Sequence, residues 1–325
     1  MWNKTFISII LSVLIANVNC DGEIFCKNEN KTAIIKRFNH SSPLGYYEEE
    51  VSNCLMENSK KIAMEQLTAE PENHSIKSFE IDSHRVNEPW GFNSNYFTLP
   101  DNISLIFPDL IKYKVGYSKV KHIYQNNFRG FTKLEELDLK GNEIIKIRKG
   151  LFNDLTSLIV LVLAANDIQY TQNEAFIDLV NLKILDLSTN LLSKIERTCL
   201  KGLISLETLD LSQNFIETID GNAFEDLKNL KTLKLEVNEL RQLNRGLFDN
   251  SKSLVYLSLN RNYIRVIDEN AFVDLQNLRT VNFLFAKQSQ NCIKKDFESQ
   301  EAMVELNLLV RSNCTGSLRP VSDKT

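Results

Sequence analysis

The sequence carries no catalytic signature. It has no G-x-S-x-G elbow, no H-E-x-x-H and no glycine loop of the kind that cradles phosphate. Of its four histidines, His40, His74 and His84 precede the regular part of the chain and His122 lies at its start, and two of them, His40 and His74, sit inside N-glycosylation acceptor patterns. An enzyme needs titratable groups that converge on one surface, and no such set is visible, so neither catalysis nor a cofactor is expected. The six cysteines include no C-x-x-C and no Cys/His cluster, which argues against a zinc site. Basic residues number 38 against 42 acidic, a net charge of −4, which argues against nucleic acid as a partner. Beyond the first segment no stretch is apolar enough to cross a membrane. The final GSLRPVSDKT lacks the hydrophobic tail of a lipid-anchor signal.

What is present begins with a leader. In MWNKTFISIILSVLIANVNC one lysine precedes an apolar run, Phe6 to Val18, that is short for a span. Val18 and Cys20 suit the positions three before and one before a cleavage site. Residues 1–20 are therefore expected to be a secretory signal, with Asp21 the first mature residue. Secretion permits disulfides. Of the five remaining cysteines, Cys26 and Cys54 lie before the regular region, and Cys292 and Cys314 after it. The simplest pairing is Cys26–Cys54 and Cys292–Cys314, other connectivities staying open. Acceptor patterns for N-glycosylation occur at Asn30, Asn39, Asn73 and Asn102, and again at Asn313, where the middle residue is Cys314. None falls between Lys133 and Gln290, as expected if bulky sugars are confined to the flanks of a packed array.

That array has a period of 24 residues. Leucine recurs at 110, 134, 158, 182, 206, 230, 254 and 278 without a gap. Three residues on stand Tyr113, Leu137, Leu161, Leu185, Leu209, Leu233, Leu257 and Val281, and two further on Val115, Leu139, Leu163, Leu187, Leu211, Leu235, Leu259 and Phe283. An asparagine column follows: Asn142, Asn166, Asn190, Asn214, Asn238 and Asn262. The pattern is L-x-x-L-x-L-x-x-N-x-L. Its L-x-L core has the period of a strand, so both leucines face the same way. Stacked in parallel, such strands line one side of a solenoid. The asparagine amide both donates and accepts, so a stack of them can satisfy buried backbone groups of two successive turns. Phe128, Phe152, Phe176, Phe224, Phe248 and Phe272 form an outer column, interrupted only by Leu200. Cys199 aligns with Ala175, Ala223 and Ala271, so it reads as a small buried residue, the alternative being an intermolecular disulfide.

The ends depart from the pattern. Ser118 and Ala286 replace asparagine at the two extremes. Ile76, Phe79, Ile81 and Val86 fit the strand pattern once more, but Ile76 lies 34 residues before Leu110, so residues 76–109 read as a divergent first repeat with an inserted loop, NEPWGFNSN. Residues 21–75 are expected to form an irregular N-terminal cap, 110–285 the repeats proper, 286–314 a helical C-terminal cap, and 315–325 a tail. In the C-terminal cap Phe297, Val304, Leu308 and Leu309 have the spacing of an amphipathic helix closing the core.

The 24-residue unit resembles the extracellular typical class of leucine-rich repeat, which includes Toll-receptor ectodomains, matrix proteoglycans and many insect secreted proteins. The resemblance covers about Ile76 to Cys314. Two widely spaced cysteines in front, and NCIKKDF leading through a helix to a second NC behind, are similar to dipteran secreted leucine-rich proteins, among them the mosquito leucine-rich immune proteins. Those carry further cysteines and a C-terminal coiled coil, whereas a short polar tail follows Cys314 in this sequence. The resemblance implies an α/β repeat fold: a right-handed solenoid with a parallel concave sheet and disulfide-tied caps. It also implies extracellular binding, with an immune role as one form of it, and leaves a homo- or heterodimer open.

Two surface features are candidates for contact. Residues between the strand leucines point to the concave face, and most are polar. Val160, Val162, Ala164 and Ile184 form an apolar sector there, with Asp138, Asp186 and Asp210 as an acidic rim. The alternatives are that a cap or loop covers the sector, or that it is incidental. Separately, Leu110 to Gly150 carries ten basic residues against four acidic. Lys112, Lys114, Lys119, Lys121, Lys146, Arg148 and Lys149 could form a basic end attracting sulfated glycan or an acidic protein, or only a solvated surface. The function expected is recognition of an extracellular protein or surface ligand through the concave face. The alternative is a matrix or scaffold protein that holds sulfated glycan at its basic end.

Overall fold

A computed structural model describes residues 107–283 continuously. It also describes Leu99, residues 103–105, 293, 297–298 and 302–310, and the backbone of strands at 22–27, 32–38, 46–52, 78–82 and 97–98. The leader, the inserted loop, the tail, Cys54, Cys292, Cys314, Ala286 and all five glycosylation asparagines lie outside the described residues, as does the Cys26 side chain.

Each L-x-L segment is a short strand, and the strands add in chain order into one nine-stranded sheet. Its neighbours are parallel and in register at the repeat spacing, so Leu137, Leu161, Leu185, Leu209, Leu233, Leu257 and Val281 stack on one another and are fully buried. The divergent first repeat joins the same sheet. Ser78–Asp82 pairs with Lys112–Gly116, setting Phe79 against Tyr113 and Ile81 against Val115 despite the longer spacing. Pairing depends on the strand pattern, which holds its register across the longer spacing.

The asparagine column performs the double duty its chemistry allows. Asn214 donates from Nδ2 to the Leu211 carbonyl of its own turn (3.1 Å) and to the Leu187 carbonyl of the preceding turn (3.0 Å). Its Oδ1 accepts the Leu192 N–H at 3.1 Å. Asn142, Asn166, Asn190, Asn238 and Asn262 repeat the arrangement, and Ser118, at the head of the column, donates its N–H to Asn142. On the outer side the phenylalanines stack at ring separations near 6.0 Å, Phe152 on Phe176 and Phe248 between Phe224 and Phe272. Leu200, in the gap, is equally buried.

The outer side is built of turns and two-residue strand pairs such as Lys146–Ile147 with Tyr170–Thr171. The only α-helices among the described residues are Gln125–Phe128 and Ala302–Leu309. A 24-residue turn leaves little chain after the strand and its exit, and tight bonds such as Leu155 N–H to the Phe152 carbonyl (3.0 Å) close it quickly. The N-terminal segment is not irregular: Gly22–Lys27, Thr32–Phe38 and Tyr46–Ser52 form an antiparallel three-stranded sheet. Their β-branched and aromatic residues favour that choice. In the C-terminal segment Phe297 is buried, but it bridges Val281 in antiparallel fashion before the helix begins. The helix turns Leu306 and Val310 to the core and leaves Val304 and Leu308 exposed. Both pairs have i, i+4 spacing, so periodicity alone could not choose between the two faces.

Candidate binding surface

In a strand whose central residue enters the core, the two flanking residues must face outward. The register places Val160 directly between Glu136 and Ile184, and Val162 between Asp138 and Asp186. Ile184 is 40% exposed, while Val160 and Val162 are half-buried, so the sector is open along part of its length. Ala164 does not belong to it, being only 3% exposed. A single methyl is too short to clear the turns that bond on either side, through Gly141 N–H to the Ala164 carbonyl and Ala165 N–H to the Ser188 carbonyl.

The aspartates of the rim also shape the strand exits. Asp138, Asp186 and Asp210 each accept the backbone N–H of the residue two further on, at 2.9, 2.9 and 3.0 Å. Asp210 takes Lys234 at 2.9 Å as well. Burial raises the carboxyl of Asp138 above its ordinary range, against the opposing pull of the Lys140 N–H and of Lys114. Asp138 and Asp186 have no ion-pair partner among the described residues, so the rim keeps negative charge beside the valines.

At the basic end, Lys112 and Lys114 both reach Glu136, at 2.9 and 2.6 Å, Lys121 reaches Glu143 at 3.1 Å, and Lys149 reaches Glu174 at 2.6 Å. Burial acts to raise the Glu136 carboxyl, but the two lysines outweigh it and hold it below its ordinary value. Glu174 is held down at about 2 by Lys149 and Lys201. Lys119, Lys146 and Arg148 have no carboxylate partner among the described residues, and the Arg148 guanidinium lies 6.0 Å from the centre of the Tyr124 ring. Cys199 is buried and free, its thiol bonded to the Glu196 carbonyl at 3.1 Å and pushed up to about 11 by burial.

Two features escaped the sequence reading. One backbone column, Tyr117, Ala165, Thr189, Gln213, Val237 and Arg261, adopts positive φ between 50° and 58°, with Gly141 in the same place at 71°. A lone glycine there, at the residue before the asparagine, was the only sign. The second is a cleft lined by Glu239, Arg241, Tyr263 and Arg265. Its signal was two arginines one period apart. Among the described residues no group of three or more His, Cys, Asp or Glu could hold a metal ion, and no helix is long and apolar enough to cross a membrane.

Comparison with known proteins agrees with this architecture. Residues 132–192, 180–240 and 228–282 match the family model described as leucine rich repeat. Among solved structures the chain is similar to the one titled "Crystal structure of TLR13-ssRNA13 complex", at 24% identity and a TM-score of 0.50. The match covers 60% of this chain and 32% of that one, so it spans about a third of the longer protein and speaks to the fold alone. No curated protein matches the chain.

Proposed function

We propose that this leucine-rich-repeat chain is a secreted recognition protein whose concave sheet binds an extracellular protein, with no catalysis of its own. The observation that carries the reading is the adjacency of Val160 and Ile184 on neighbouring strands, open to solvent on a face whose other outward positions are mostly polar. A parallel sheet is stiff, so the patch is presented without further ordering cost. Covering each aliphatic side chain fully contributes about 1.5–3 kcal/mol. The unpaired charges of Asp138 and Asp186 beside Val162 favour a partner with basic groups around an apolar centre. Innate immunity is one setting for such a protein, supported only by the resemblance of the repeats and flanks to insect immune proteins.

Val160→Asp puts a charge in the middle of the patch while leaving the core untouched, because the side chain faces outward. Partner capture from the fluid into which the protein is released should fall by about tenfold or more, with an unchanged circular dichroism melt. Equal capture by both proteins would remove the site. A misfolded variant would show that the chain itself covers the patch.

A further inference from the structure

Along the flank of the solenoid, residues 239–265 carry five basic residues against two acidic. Two turns stack there through Arg265 N–H to the Arg241 carbonyl at 2.8 Å and Tyr263 N–H to the Leu240 carbonyl at 3.0 Å. One period apart, Arg241 and Arg265 fall in a single column, with Glu239 and Tyr263 in the column beside it. The four residues line an open cleft of about 350 Å³, the size of a small-ligand site. Tyr263 is 42% exposed, so its ring is accessible. Strand-like stacking sets the two arginines' backbones about 4.8 Å apart, so both side chains leave from neighbouring points of one column.

Several other cations of the array meet carboxylates on the adjoining turn. Lysines on one turn meet glutamates on the next, as Lys149 and Lys201 meet Glu174, and Lys231 meets Glu207. Arg241 has neither an ion pair nor a side-chain hydrogen bond among the described residues, although Glu239 lines the same cleft. Each guanidinium offers parallel N–H donors matched to a planar or tetrahedral oxyanion. The carboxylate of Glu239 would repel a ligand that is acidic along its whole length, but it would accept a hydroxyl. A ring that bears one oxyanion, neighbouring hydroxyls and an apolar C–H face satisfies all four residues.

We propose that Arg241, Arg265, Tyr263 and Glu239 form a binding site for an acidic sugar, a residue of an extracellular polysaccharide carrying sulfate or carboxylate. The arginines take the oxyanion, the Tyr263 ring takes the sugar face, and Glu239 takes a hydroxyl. The site is separate from the concave sheet and stands or falls independently of it.

The test uses the full chain with four probes: a hyaluronan hexasaccharide, a chondroitin sulfate hexasaccharide, neutral chitohexaose and a hexaglutamate peptide. Binding of at least one acidic saccharide and of neither control is expected, and whichever acidic probe binds identifies the source of the oxyanion. Arg241→Ser with Arg265→Ser should weaken it by about tenfold or more, and Tyr263→Ser should weaken it too. Lys119→Ser with Lys146→Ser should leave it unchanged, as should Val160→Asp. Glu239→Gln should admit hexaglutamate. The proposal is overturned if neither acidic saccharide binds, if the arginine pair can be removed without loss, or if the lysine variant loses as much. Arginine-dependent binding of hexaglutamate to the unaltered chain would instead make the cleft an acidic-peptide site.

Discussion

Asn214 illustrates how this fold is held at the level of single residues. Three buried backbone groups on two turns depend on one amide. Asn214→Ala leaves them without partners, and the denaturant midpoint should report a loss of about 1–3 kcal/mol. An unchanged midpoint would mean that the column does not carry this part of the fold. The residue before each asparagine has the opposite energetics, since a left-handed backbone costs an L-residue about 1–2 kcal/mol. Val237, at φ 58°, is β-branched and suits that conformation poorly, whereas asparagine tolerates it. Val237→Asn should therefore raise stability by roughly 1 kcal/mol in the same measurement. Cys199 has a thiol that burial lifts to about 11, so its thiolate is scarce at neutral pH. A soluble alkylating reagent at pH 8, followed by peptide mapping, should leave the Cys199 peptide unlabelled in the folded chain and label it in denaturant. Because the folded pKa lies above the unfolded one, the thiol's contribution is complete below about pH 8.5 and is lost as pH rises through the folded value. Labelling of the native protein at pH 8 would contradict the burial.

At the level of the turn, stacking demands close backbone approach. Gly202 has φ 91°, and a Cβ placed on it would lie 2.5 Å from the Ile177 carbonyl oxygen, which is backbone and cannot swing aside. Its N–H also bonds Asp226 on the next turn at 2.9 Å. Gly202→Ala should cost about 2–3 kcal/mol. Since turns touch only their neighbours, hydrogen exchange should quicken most in the turns beside residue 202 and less toward the ends. A uniform change across the array would argue that the solenoid unfolds as one unit. The Ala302–Leu309 helix shows the limit of the repeat logic. It has no column to follow, and it buries the pair Leu306 and Val310 where Val304 and Leu308 have the same spacing.

For the molecule as a whole, stacking divides the surface into columns, and the columns differ in chemical character. The parallel sheet offers a short apolar strip beside Asp138 and Asp186, which have no ion pair among the described residues. The flank offers paired arginines beside an aromatic ring. The N-terminal basic end spends four of its seven cations on glutamates within the chain, and so presents less free charge than its composition suggests. Exposed pairs of this kind add little to stability and are screened by salt. They matter here because they decide which cations remain for a partner.

The periodic core was legible from the sequence alone. Its strands, its asparagine ladder, the phenylalanine column and the burial of Cys199 among alanines all follow from one fact. In a stack of equal turns, each residue's lateral neighbours are its own column, so chain spacing of 24 becomes contact in space. The strand pattern even carried the first repeat across its insertion, through Phe79 and Ile81. Properties that depend on direction or reach needed the tertiary structure. It showed that the Ala164 methyl is enclosed while Ile184 stands clear, and that Lys114 bends to Glu136 while Arg241 finds no carboxylate among the described residues. It also chose which of two equivalent helix faces meets the core, and it brought Arg241, Tyr263 and Arg265 around one cleft. Periodicity fixes which residues are neighbours, but where each side chain points among those neighbours is settled only by packing.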